Sequence, residues 1–222
     1  METGNIRTVV FDLDGTLLDT LDDLAASVNY ALGMYGYPMR SKKEVRSFLG
    51  NGIRYLMRRS VPESTDEAGY EKAFAAFRQH YLKHCLDKTR PYDGVLEVLK
   101  TLKERGYRLA IVSNKLQPAV EELNGRFFKD YVSVAIGESR EVRRKPAPDT
   151  VLQALSRLGS TREEAVYVGD SEVDMQTAQN VGIPCISVLW GFRDRAFLEE
   201  HNAACFVEKP SDILALLPGK KC

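Results

Sequence analysis

Arg7-Thr8-Val9-Val10-Phe11-Asp12-Leu13-Asp14-Gly15-Thr16 begins as a short apolar run rich in β-branched residues and stops abruptly on an aspartate. A strand buried on both faces reads as such an unbroken run, so the stretch predicts a parallel strand with Asp12 at its carboxyl end. Similar runs recur at residues 109–112, 132–136, 165–168, 185–189 and 204–207. Amphipathic helical patterns separate them. Val95, Leu96, Val98, Leu99 and Leu102 precede a Gly106 stop, and Val151, Leu152, Leu155 and Leu158 precede a Gly159 stop. Strands alternating with helices imply an α/β fold, a doubly wound, Rossmann-like parallel sheet with right-handed crossovers.

One connection breaks the rhythm. Residues 15–88 hold no convincing strand and are far longer than the dozen or so residues that a crossover needs. They are expected to form a separate helical unit, residues 15–88, inserted into a core made of residues 1–14 and 89–222. Leu21, Leu24, Val28 and Leu32 form one stripe; Ser41-Lys42-Lys43-Glu44 reads as a capping box before Val45, Phe48 and Leu49. Ser64-Thr65-Asp66-Glu67 reads as a second box, opening a helix whose face carries Tyr70, Phe74, Phe77, Tyr81 and Cys85.

Composition excludes several classes. Of 222 residues, 44% are hydrophobic and 28% charged, as in globular proteins, and 31 basic residues balance 31 acidic ones. With no net field, nucleic acid is not an expected partner. The first residues lack the apolar stretch of a secretory signal and nothing resembles a membrane span, so a cytoplasmic location is expected. Cys85, Cys185, Cys205 and Cys222 lack zinc or redox spacing and read as idle thiols; His80 and His84 lie four apart but have no further ligand at a spacing that completes a metal site.

In open α/β sheets, ligands bind beyond the carboxyl ends of the strands. The polar residues collect there: Asp12-Leu13-Asp14-Gly15-Thr16 after the first strand, Ser113-Asn114 after the second, Lys145 after the third and Gly169-Asp170-Ser171-Glu172-Val173-Asp174 after the fourth. Singly, each Asp could be a turn residue or a helix cap. Together they crowd carboxylates that repel by about 4 kcal/mol at ~4 Å and an effective dielectric of 20, so a cation is expected between them. Oxygen ligands without His or Cys select Mg²⁺, which shares its shell with phosphate oxygens. Asp12 then reads as a nucleophile toward phosphorus and Asp14 as the proton donor and acceptor. Lys145 offsets phosphate charge, Gly15 permits the sharp turn, and Thr16, Ser113 and Asn114 offer donors to phosphoryl oxygens.

These residues resemble the four motifs of the haloacid dehalogenase superfamily, in order and across essentially the whole chain, with a helical cap inserted after the first. The resemblance implies that Mg²⁺ is held by the Asp12 carboxylate, the Asp14 backbone carbonyl and Asp170, with Asp174 orienting metal-bound water. Asp14 speaks against dehalogenases, which lack that second aspartate. The cap resembles that of phosphoglycolate phosphatases through Leu49-Gly50-Asn51-Gly52 and the following Arg54, Arg58 and Arg59; Trp190-Gly191-Phe192 is similar to that branch as well. Gly50, Asn51 and Gly52 would offer backbone amides to a second anionic group of the substrate. Each arginine by itself reads more readily as part of an ordinary solvated helix face.

The expected activity is therefore phosphatase action on a small phosphorylated metabolite, by a monomer or homodimer. The alternatives are a phosphomutase of the β-phosphoglucomutase type, a pyrophosphatase, or a broad sugar-phosphate phosphatase. A phospho-acceptor receiver module is a further alternative, but its acceptor follows the third strand and it lacks a helical insertion.

Overall fold

The computed structural model describes residues 5–217; Met1–Gly4 and Cys222, both used above, lie outside the described residues. In chain order the elements are β1 (Thr8–Phe11), β2 (Leu18–Asp19), α1 (Leu21–Met34), α2 (Lys42–Ser47), α3 (Gly52–Ser60), α4 (Glu67–His84), β3 (Arg90–Pro91) and α5 (Val95–Glu104). Then come β4 (Arg108–Leu116), α6 (Gln117–Phe127), β5 (Val134–Glu138), α7 (Asp149–Leu158), β6 (Ala165–Gly169), α8 (Glu172–Val181), β7 (Cys185–Val188), α9 (Arg195–Glu200), β8 (Phe206–Val207) and α10 (Ile213–Leu216). The chain divides into two compact units, one built from the segments up to Leu17 and from Pro91 onward, the other from Leu18–Arg90.

In the first unit the strands are ordered β5-β4-β1-β6-β7-β8, and every pair is parallel. The run that opens the sequence is the reason for this order. Val9, Val10 and Phe11 are buried because helices cover both faces of β1, which removes their apolar area from water. Connections wind outward from β1 in both directions, so the strand order reverses there and leaves a crevice at its carboxyl end. Register aligns the ends: Phe11 lies opposite Ile111 of β4 and Val168 of β6.

Three local expectations are corrected. Residues 15–88 do contain a short strand, β2, which pairs with β3 in a two-stranded sheet; two residues are too few to show a period. The second capping box is displaced: Ser64 and Thr65 lie in a turn closed by the Thr65 N–H on the Pro62 carbonyl, and Asp66 caps α4 by accepting from the Gly69 N–H at 2.8 Å. Finally, β4 does not stop at Val112 but runs to Leu116, with an irregularity in its register against β5 between those residues.

The helical unit is held by α1 on α4. Tyr70, Phe74, Phe77 and Tyr81 form a column of rings 5.6–6.5 Å apart, consistent with core packing. Buried Asp23 accepts from the Lys88 and Thr89 N–H groups and the Thr89 hydroxyl, tying the first turn of α1 to the segment after α4. The α3 arginines mostly serve this unit: Arg54 pairs with Glu71 and Arg58 with Glu67, both at 2.6 Å, while Arg59 lies over the Phe48 ring. His80 and His84 stack on each other, His80 meeting Ser27 and His84 meeting Asp87. Cys85, Cys185 and Cys205 are free thiols, and burial pushes the Cys185 thiol up, so it stays protonated. Among the described residues no helix is long and apolar enough to cross a membrane.

Candidate active site

The end of β1 carries Asp12 into the crevice, where its backbone N–H still bonds to the Val168 carbonyl of β6. Gly15 then turns the chain with φ 93°, a left-handed value that side chains rarely adopt, and a Cβ there would overlap the Asp170 carboxylate. Thr16 faces Asp170 at 3.5 Å and its carbonyl accepts from the Trp190 indole N–H at 3.0 Å. On β6 the ladder ends at Gly169, placing Asp170 and Ser171 at the start of α8. Asp174, on the first turn of α8, accepts from the Asp170 and Ser171 N–H groups and from the Ser171 hydroxyl through one oxygen.

The other Asp174 oxygen belongs to a buried network. The Lys145 ammonium donates to Asp12 Oδ1 at 2.6 Å, Asp174 Oδ1 at 2.7 Å and the Tyr167 hydroxyl at 3.0 Å; Tyr167 in turn donates to Asp174 Oδ1 at 2.9 Å. An ammonium has three donors, and each has a partner here. Among the described residues, Asp12, Asp170 and Asp174 form a cluster whose carboxylate oxygens lie within 4.8 Å of one another. The side chain of Asp14 is not in this cluster. It pairs instead with Lys115 Nζ at 2.9 Å, with the Ser113 hydroxyl at 3.4 Å. Residues two apart on a strand share a face, so Ser113 and Lys115 both reach Asp14. Asn114, between them, turns the other way and donates to the Lys145 carbonyl at 3.1 Å.

The profile of the haloacid dehalogenase-like hydrolases matches residues 9–188. The chain belongs to that family. A relative at 32% identity, covering 96% of this chain and 79% of its own, is the phosphoglycolate phosphatase of Pseudomonas syringae pv. syringae (strain B728a). Another, from Aquifex aeolicus (strain VF5), is 31% identical over 96% of this chain and 97% of its own. A crystal structure from Lactobacillus delbrueckii subsp. bulgaricus, carrying a provisional phosphoglycolate phosphatase assignment, has a TM-score of 0.92 at 33% identity, covering 97% of this chain and 100% of that one.

Electrostatics in this haloacid dehalogenase-like hydrolase favour a bound cation. Burial, then repulsion from Asp174, pushes Asp12 well above the usual carboxylate range, although Lys145 opposes the rise. Burial and Asp174 also push Asp170 up to about 7, against the Phe192 N–H that donates to it at 2.6 Å. Burial would raise Asp174 too, but Lys145 and the Ser171 and Tyr167 hydroxyls outweigh it and hold Asp174 below its ordinary value. Burial acts to lower Lys145, and Asp12 and Asp174 reverse that, so the ammonium stays charged. Ionising all three carboxylates against one ammonium would leave two negative charges in a buried, all-oxygen cluster, which is why Asp12 and Asp170 are pushed up without a cation. That donor set fits a hard divalent cation.

Several participants escaped the sequence reading. Tyr167 carried a signal, since a tyrosine inside the buried run Ala165-Val166-Tyr167-Val168 needs a partner for its hydroxyl. Lys115 carried one as well, through its two-residue spacing from Ser113. Gly191 entered the sequence reading only as part of Trp190-Gly191-Phe192, and the structure supplies its role: a Cβ there would overlap Asp170 and stand 2.5 Å from the Gly15 carbonyl. Gly191→Ala is accordingly expected to displace Asp170 and weaken divalent-cation binding by roughly 10- to 100-fold, the usual cost of disturbing the support around a metal ligand. Calorimetric titration checks this, and an unchanged affinity would show that the loop gives way without moving Asp170.

Proposed function

We propose that this phosphoric monoester hydrolase cleaves a small phosphate ester with an acidic leaving group, phosphoglycolate being the first candidate, with Mg²⁺ bound and through an aspartyl phosphate on Asp12. The observation that carries the reading is the buried cluster of Asp12, Asp170 and Asp174 around one ammonium, at the end of the central strand. The relatives named as phosphoglycolate phosphatases support that substrate over a sugar phosphate or pyrophosphate.

Asp12 and Asp170, with the Asp14 backbone carbonyl, would hold Mg²⁺, and Asp174 would orient its water. The ion supplies charge that draws the phosphate dianion toward Asp12 and stabilises charge on the phosphoryl oxygens. An oxygen of Asp12 bonds to phosphorus as the bond to the leaving oxygen breaks, and Asp14 gives that oxygen its proton. Water then bonds to the same phosphorus, Asp14 takes the proton it sheds, and the bond to Asp12 breaks to release phosphate. Lys145 holds Asp12 in place, while Thr16, Ser113 and Asn114 supply donors to the phosphoryl group. The unit built from the segments up to Leu17 and from Pro91 onward carries these steps, Thr16 included, and the helical unit Leu18–Arg90 acts as the cap that was expected over residues 15–88.

Phosphate release from a panel of esters, with and without EDTA, tests the proposal. Turnover surviving exhaustive chelation overturns the Mg²⁺ requirement, and phosphoglycolate ranking among the poorest substrates overturns the substrate. Stability offers an independent check. In the metal-free protein the proton on Asp170 stabilises the fold in full below the unfolded value of 3.8, and this contribution is lost as pH rises through about 7. A divalent cation replaces the missing charge, so Mg²⁺ should raise the thermal midpoint more at about pH 8 than at about pH 5. Equal gains would show that the cation binds elsewhere.

In the cap, Gly50, Asn51 and Gly52 are proposed to meet a second anionic group on the substrate. Gly52 opens α3 with φ 79°. A stiff β-branched residue strains that backbone, so Gly52→Val should lower kcat/KM for esters with a second anion by roughly 10- to 200-fold, about 1.4 to 3 kcal/mol. An aryl phosphate without one should lose much less. Parallel losses would show that the loop does not read the substrate.

A further inference from the structure

We infer that Lys115 is a specificity-determining residue for an α-carboxylate on the leaving group, that is, for phosphate esters in which one carbon separates the ester oxygen from a carboxylate, acting on that group together with the cap loop. This rests on the proposed role of Asp14 and extends it to the adjacent cation. Lys115 Nζ stands 2.9 Å from Asp14 Oδ1, and its side chain is only 9% exposed, so it is a cation of the crevice and not of the open surface. If Asp14 delivers a proton to the leaving oxygen, the ammonium beside it lies within a few bond lengths of that oxygen. The carboxylate of such an ester is one carbon away and arrives at the same ammonium.

Two other basic groups near this sheet edge are committed elsewhere. Lys145 gives its three donors to Asp12, Asp174 and Tyr167, and Arg193 grips both oxygens of Glu172 at 2.8 and 3.0 Å. Lys115 is instead fixed on the carboxylate assigned to the leaving group. Its position is set by the backbone: the Lys115 N–H donates to the Ser113 hydroxyl at 3.1 Å, and the register irregularity of β4 lies in this segment. An ammonium also does what neutral loop amides do not, because it offsets the extra negative charge that such a leaving group brings beside Asp14.

The test compares phosphoglycolate with 2-hydroxyethyl phosphate, an ester of similar length whose leaving group carries no charge, in wild type, Lys115→Met and Lys115→Arg. Wild type should prefer phosphoglycolate in kcat/KM. Lys115→Met should reduce that preference by roughly 10- to 100-fold, the range for a lost charge-assisted hydrogen bond, and Lys115→Arg should keep most of it. Equal losses on both esters in the Met variant would reduce Lys115 to a residue that only holds Asp14, and overturn the inference. A preference no higher in Lys115→Arg than in Lys115→Met overturns it too. Wild type with no preference would take down the acidic leaving group and the inference together, whereas a preference kept in Lys115→Met takes down the inference alone. If the Met variant does not fold, Lys115→Gln applies the same criterion.

Discussion

Asp12→Asn is expected to lower turnover by more than about 10³-fold. An amide is a poor nucleophile toward phosphorus, and the remaining acid–base assistance is worth only about 10²–10⁴ in rate. The same change should leave the fold intact. In the metal-free protein Asp12 is a buried acid pushed up by burial and by Asp174, so a neutral isostere removes an unfavourable charge, while Lys145 keeps Asp174 as a partner. The thermal midpoint without metal should hold or rise. Phosphate release and acid-quenched labelling of the enzyme check the first point, and melting curves the second. Turnover within about tenfold of wild type would assign the nucleophile elsewhere.

Lys145→Met should have the largest effect on stability. It strips the ammonium from Asp12 and Asp174, both buried, and breaking a buried ion pair by removing one partner costs about 3–5 kcal/mol. For a chain of this size, that lowers the thermal midpoint by roughly 6–20 °C. The loss should depend on pH with a definite sign. In wild type Lys145 helps to hold Asp174 low, a contribution present above the unfolded value and lost as pH falls through the folded one. Without it, Asp12 and Asp174 titrate upward, so the variant loses stability as pH rises, and its deficit should be larger at about pH 8 than at about pH 5. A deficit that is flat with pH would mean that lost packing of the lysine stem, not charge, is responsible.

Local and periodic features were legible in the sequence. The unbroken run ending at Asp12 identified the central strand, alternation with Gly-terminated helices identified the parallel sheet, and the Ser41–Glu44 capping box formed as read. These depend on chain neighbours and on the 2.0 and 3.6 periods, which act over a few residues. The rule that ligands gather at strand ends also brought the motif residues to one edge. It did not say which carboxylates would meet. Asp174 joined Asp12 and Asp170 in the buried cluster, Asp14 turned to Lys115, and Tyr167 and Gly191 became supports. Those pairings join residues far apart in sequence. Ser113 and Lys115 share a face only because β4 runs past Val112 to Leu116, and only the register of β4 on β1, set by packing across the whole sheet, put Asp14 opposite that face.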